Sequence, residues 1–168
     1  GLLTVCTDEA SVMAQVQAVV PSAMCIGYAD ESACVRIREA LKGKTAVGFG
    51  CGAGRNGVGA GILREVLSSA LPAVIDADGL WHLAQELSLL QRGAQTVLTP
   101  HLGEMARLLG RPVEDPVRDA QAFAQEHDCV VLLKGACTVI AAPDGRLAFN
   151  VIGTQGMATA GSGDTLTG

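Results

Sequence analysis

The chain has 168 residues, 49% of them hydrophobic and 17% charged, with 12 Lys and Arg against 17 Asp and Glu. That composition suits one globular α/β domain with a substantial core and excludes disorder. The net charge of −5 offers no basic field for nucleic acid or anionic lipid, and no apolar run approaches the roughly 20 residues of a membrane span. The expected protein is soluble, with neither nucleic acid nor membrane as a partner.

In chain order, β-branched runs alternate with amphipathic stretches of helix length. Strands are expected over residues 2–6, 23–28, 45–49, 73–76, 96–98 and 129–133, and a late hairpin over 138–141 and 147–151 turns at Asp144-Gly145. Helices are expected over 8–19, 31–41, 57–69, 80–91, 102–109 and 116–127. Asp8 and Asp115 suit N-caps, and Gly43 and Gly110 suit C-terminal stops. The alternation is the βαβ pattern of a mostly parallel sheet flanked by helices. No internal repeat or linker interrupts it, so a single domain spanning 1–168 is expected. The first residues read as a strand already under way, without Met or a leader, and the last as a helix barely begun. Both ends are expected to belong to a larger domain.

Six cysteines, at 6, 25, 34, 51, 129 and 137, show neither C-x-x-C spacing nor nearby histidine pairs. A zinc site is therefore not expected, and the thiols are read as reduced and mostly packed, as in a cytoplasmic protein, with Cys51 in a glycine loop as the exception.

That loop, Gly48 to Gly61, contains G-x-G-x-x-G at Gly52 to Gly57, with Asp76 and Asp78 some twenty residues on. A strand precedes it and a helix follows, the context of a dinucleotide fingerprint. The register differs, because Gly48 and Gly50 already make the strand exit. Three readings stand: a turn that needs glycine with no ligand, a loop whose amides hold a ligand, and a nicotinamide dehydrogenase.

At the other end, Met157-Ala158-Thr159-Ala160-Gly161-Ser162-Gly163-Asp164-Thr165-Leu166-Thr167-Gly168 is a small-residue loop entering a helix. Its N–H groups and the helix dipole suit a phosphate. Asp164 is either a dipole partner in the first turn or, beside a phosphoryl group, a base for an attacking hydroxyl.

Gly-x-Gly-Asp at a helix start resembles the anion hole and base of ribokinase-like kinases. Val47-Gly48-Phe49-Gly50-Cys51-Gly52, Val74 to Leu80, Leu98 to Glu104, Val131 to Thr138 and Asn150 to Gly168 resemble, in order and spacing, the ADP- or ATP-dependent NAD(P)H-hydrate dehydratases. The match runs over essentially the whole chain. It departs at Phe49 and Cys51, and at Thr154-Gln155, where the family usually reads Asn-Pro.

The resemblance implies a ribokinase-like three-layer α/β fold with a mostly parallel central sheet, cut short at both ends. It implies a lyase that restores the S epimer of hydrated NADH or NADPH by phosphorylating the ring hydroxyl and eliminating phosphate. ADP or ATP would be the phosphate donor, with Mg²⁺. Asp164 would be the base, and the amides around Gly161 and Gly163 would stabilise the transferred phosphoryl group. Gly48, Gly50, Gly52, His101, Asn150 and Asp164 would meet the hydrated dinucleotide. Lys134, Gly135, Ala136, Cys137, Thr138 and Gly163 would hold the nucleotide. Asp76, Asp78 and Glu104 are candidates for Mg²⁺, directly or through water, with capping as the alternative for each. A homo-oligomer and an NAD(P)H-hydrate epimerase, fused or separate, are the expected partners. A vitamin-precursor kinase of the same fold and a catalytically silent nucleotide-binding module are the alternatives.

Overall fold

The computed structural model describes residues 2–150 and 162–167. The chain packs as two compact units, Gly1–Lys44 and Thr45–Gly168.

In the first unit, β1 (Thr4–Thr7) and β2 (Met24–Gly27) pair in parallel, joined by α1 (Ala10–Val19). A 3-10 turn over Asp30–Ser32 leads into α2 (Ala33–Leu41). The Lys44 ammonium donates to Thr4 Oγ1 at 2.8 Å, closing the unit on itself. These two strands form a sheet of their own instead of extending the larger one. Glu9, not Asp8, is the N-cap of α1, and its side chain makes no capping bond.

The second unit is built on six strands in strict sequence order. They are β3 (Val47–Phe49), β4 (Ala73–Ile75), β5 (Thr96–Leu98), β6 (Val130–Leu133), β7 (Thr138–Ala141) and β8 (Leu147–Asn150). β3 to β6 are parallel, and β7 and β8 add antiparallel hairpins. The sheet is thus mostly parallel, and the turn at Gly145 has the positive φ, 86°, that its glycine permits.

Parallel neighbours need crossovers, and these are α3 (Gly57–Ser68), α4 (Ala77–Leu83) and the pair α5 (Leu102–Leu109) and α6 (Pro116–Glu126). Each packs on the next. Right-handed crossovers between sequential neighbours place such helices on one face of the sheet. Alternate strand residues there are buried: Ala73 and Ile75, Val131 and Leu133, Val139 and Ala141. Ile62, Leu63, Val66, Leu80, Leu83, Met105, Leu108 and Phe123 supply the helical half of the core.

The start signals explain most helix bounds. The Asp115 carboxylate accepts from Val117 and Arg118 N–H, and Gly110 ends α5 in the left-handed conformation at φ 67°. The helix expected over 80–91 instead begins at Ala77, because the Asp76 carboxylate caps its N–H, and is followed by a separate 3-10 turn over Leu87–Leu90. Among the described residues a final helix, α7, spans Ser162–Thr167.

Candidate functional site

The parallel strands all end on the same side of the sheet, where α/β folds gather ligands. β3 leads into Gly50, β4 into Asp76, β5 into Thr99-Pro100-His101, and β6 into Lys134. Past the strand proper, His101 and Lys134 extend the parallel pairing by one bridge, with Lys134 N–H donating to the Pro100 carbonyl at 2.7 Å.

Asp76 is the centre of this edge. It is 2% exposed. Oδ1 accepts the Ala77 N–H and the Lys134 ammonium, both at 2.8 Å, while the Thr167 hydroxyl donates to Oδ2 at 3.3 Å. Burial raises the carboxyl pKa, but the Lys134 ammonium, the Ala77 N–H and the Thr99 hydroxyl outweigh it and hold the group below the usual aspartate range. Lys134, which as a lone hairpin residue would be solvated, is in fact paired, with its side chain 26% exposed.

The glycine loop is fastened from α4. Asp78 Oδ2 accepts the Gly54 N–H at 3.1 Å, and Oδ1 accepts from Arg55 Nε at 2.8 Å. His82, four residues further along the helix and buried, has Nε2 2.8 Å from the Gly54 carbonyl. That contact requires the proton on Nε2. Arg55 also lies over the Trp81 ring, 5.9 Å from its centroid. Asn56 then caps α3 by accepting from Gly59 N–H.

Gly50 and Gly79 bring the two elements together. A Cβ on Gly50, whose φ is 130°, would overlap the Asp76 carbonyl oxygen, and one on Gly79 would lie 2.9 Å from the Phe49 carbonyl oxygen. Gly48 is exposed, with Thr167 Cγ2 3.3 Å from where its Cβ would stand, and Gly52 is exposed at φ 69°.

His101 is the N-cap of α5. Nδ1 accepts from Gly103 N–H at 3.0 Å and Glu104 N–H at 3.2 Å, and the Glu104 carboxylate accepts the His101 N–H at 2.8 Å, completing a capping box. An accepting Nδ1 carries no proton, so the neutral ring holds it on Nε2, 3.5 Å from Glu104 Oε1. Gly135, Ala136 and Cys137 are exposed in the turn from β6 to β7, and Thr138 opens β7. Asn150 ends β8, exposed and aligned with Thr138. Gly163 and Asp164 lie in α7, and Gly161 lies outside the described residues.

The candidate metal carboxylates are all engaged by the protein itself: Asp76 by Lys134, Asp78 by the glycine loop, Glu104 by its cap. Among the described residues no three His, Cys, Asp or Glu side chains are grouped to hold an ion. A cavity of about 470 Å³ lined by Ser69, Ser88, Arg92 and Ala94 lies before β4 and β5, at the opposite strand ends, and is no part of this site.

A profile of NAD(P)H-hydrate dehydratases matches residues 1–168. The chain belongs to that family. Among curated dehydratase-family relatives, the bifunctional NAD(P)H-hydrate repair enzyme Nnr of Moorella thermoacetica is 46% identical over 136 residues, covering 77% of this chain and 26% of the relative. Its counterpart in Mycobacterium tuberculosis is 47% identical over 121 residues, 71% of this chain and 26% of the relative. The chain thus spans about a quarter of the length of the curated relatives it matches. A ribokinase-like superfamily protein from Enterococcus faecalis superposes with a TM-score of 0.85 at 28% identity, covering 99% of this chain and 58% of that one. The ADP/ATP-dependent NAD(P)H-hydrate dehydratase of Bacillus subtilis, co-crystallized with ATP/Mg²⁺ and soaked with CoA, gives 0.78 at 28% identity, with 99% and 61% covered. The fold is ribokinase-like.

Within this dehydratase-family chain, Thr99, Thr167, Gly79 and His82 enter the site without having been singled out in the sequence. Thr99, Thr167 and Gly79 lie inside stretches that carry the family resemblance, whereas His82 lies outside them and stands four residues after Asp78, on the same helix face.

Proposed function

We propose that this chain supplies the phosphoryl-transfer core of an enzyme that dehydrates the S epimer of hydrated NADH and NADPH, with ADP or ATP as donor. The observation that carries the reading is the family match over residues 1–168. The convergence of the Gly50 loop, His101 and Lys134 at one edge of the sheet supports it.

Hydroxide leaves poorly from the hydrated ring. The ring hydroxyl oxygen attacks the terminal phosphorus of the donor, Asp164 takes the hydroxyl proton, and AMP or ADP departs. The C–O bond then breaks with phosphate as leaving group, a proton is lost from the adjacent ring carbon, and the reduced nicotinamide is restored. Asp164 acts as general base, and the amides of Gly161 and Gly163 stabilise charge on the phosphoryl oxygens. Gly48, Gly50, Gly52, His101 and Asn150 hold the hydrated dinucleotide. The turn Lys134, Gly135, Ala136, Cys137 and Thr138, with Gly163, holds the nucleotide.

Mg²⁺ would arrive with the nucleotide phosphates and keep most of its waters, as that ion usually does. The protein works in the cytoplasm as a homo-oligomer, with an NAD(P)H-hydrate epimerase either fused to it or separate.

The test is incubation of the full-length chain with hydrated NADH and ADP or ATP. Return of reduced-nicotinamide absorbance is expected. Its absence, together with phosphorylation of a vitamin-precursor alcohol, would overturn the reading in favour of a kinase, and nucleotide binding without turnover would mark a silent module. Asp164→Asn is expected to lower turnover by about 10²–10⁴-fold while nucleotide binding persists; unchanged turnover would remove Asp164 from the base role.

A further inference from the structure

The Asp76 carboxylate does more than a helix cap requires. Capping needs only an acceptor, and Ser, Thr or Asn serves as well. Burying a carboxylate is unfavourable unless it is paired and hydrogen-bonded, and this one is 2% exposed. Its partners come from separate elements, among them the first N–H of α4, the Lys134 ammonium at the end of β6, and the Thr167 hydroxyl of α7. We propose that Asp76 is a positioning residue that locks the Lys134 ammonium, and with it the nucleotide-binding turn, to the helix that carries Asp164.

The charge is what Lys134 uses. An ammonium has three protons, and Asp76 Oδ1 takes one at 2.8 Å. With a quarter of the side chain exposed, the pair holds the end of a flexible four-carbon stem at one point on the strand edge. A cation fixed before the anion arrives loses less freedom on binding. The pairing also neutralises a carboxylate that would otherwise repel an incoming phosphate. This inference rests on the nucleotide-binding role proposed above for the Lys134 turn.

The experiment compares Asp76→Asn, Lys134→Met and the double variant in the full-length chain. It reads nucleotide Kd by calorimetry, KM for nucleotide and for hydrated NADH, and thermal unfolding. Asn keeps an acceptor for the Ala77 N–H but loses the charge that pairs with the ammonium, and it turns the oxygen facing the Thr167 hydroxyl into an NH2 donor. Asp76→Asn is expected to fold, to raise nucleotide Kd and KM about 10- to 100-fold, and to leave KM for hydrated NADH within about twofold. The double variant should be no worse than Lys134→Met alone, since both remove one interaction.

Unchanged nucleotide binding in Asp76→Asn, or additive losses in the double variant, would overturn the proposal while leaving the dehydratase reading intact. If Asp76→Asn and Asp76→Ser both fail to fold while Lys134→Met folds and binds nucleotide normally, Asp76 is structural and the proposal falls. A wild-type chain that binds no nucleotide would overturn both.

Discussion

Gly50 concentrates the demands of the site in one residue. Its φ of 130° is closed to L side chains, and the space a Cβ would fill is taken by the Asp76 carbonyl oxygen. Gly50→Ala is therefore expected to destabilise the fold by roughly 2–6 kcal/mol, combining backbone strain with overpacking. Urea unfolding checks this, and a loss under about 0.5 kcal/mol, the size of an ordinary surface change, would show that the close approach is not rigid. Gly52 invites a different expectation, since nothing stands within 4 Å of its Cβ position and only its φ of 69° resists substitution.

The need for glycine at the strand exit was legible in the sequence. The reason was not, because the partner carbonyl belongs to a strand end 26 residues away. Asp76 and Asp78 show the same limit. Two acids two residues apart suit an ion, a cap or a loop anchor equally well, and what separates these roles is Lys134, 58 residues from Asp76, and Gly54, 24 residues from Asp78. His82 was missed because a lone buried histidine carries no sign of its acceptor.

At the scale of elements, helix α5 tests whether a residue can cap and bind together. The His101 ring accepts two N–H groups through Nδ1, and the His101 backbone N–H donates to the Glu104 carboxylate. His101→Ala is expected to cost about 1 kcal/mol of stability and to raise KM for hydrated NADH. His101→Asn should recover the stability, since Asn caps well, without recovering KM. If Asn restores both, the imidazole serves the helix alone; if Ala alters neither, the capping box contributes nothing. Helix ends with short-range chemistry, Asp115 and Gly110, were readable directly. The start of α4 was displaced by three residues because Ala77 adopts φ 46° behind the Asp76 cap, a conformation that no periodicity announces.

Over the whole molecule, acid acts through carboxylates whose native partners keep them ionised. Asp119 accepts from the Arg111 guanidinium at 2.6 Å and from the Glu114 and Asp115 N–H groups, and these hold its pKa below the ordinary range. The Asp76 carboxyl is held down likewise by its partners against the effect of burial. The unfolded chain, with aspartates near about 3.9, binds protons more readily than the folded one as pH falls. The stability these groups contribute is complete above that value and is lost as pH drops through and below it. Urea midpoints measured from neutral pH downwards should stay flat to about pH 5 and then decline. In Asp119→Asn the neutral-pH midpoint should be lower and the acid decline shallower; an acid limb identical to wild type would show that this carboxylate is not held ionised. The α/β class and the succession of strands and helices along the chain were legible from alternating patterns, whereas the order of strands in the sheet and the separate pairing of β1 with β2 were not, since each short strand reads alike whichever sheet it joins.

The change from parallel to antiparallel pairing at β6 also sets an order of assembly. β6, β7 and β8 join through short turns, so their pairing closes small loops, while each parallel partner from β3 to β6 must await a helical crossover. In pulse-labelled hydrogen exchange during refolding, amides of β7 should gain protection before those of β4; the reverse order would reject this sequence of events. Because the candidate site is composed of the ends of the slow strands, ligand-binding competence would be the last property a refolding chain acquires, and the regain of nucleotide affinity would time the completion of folding.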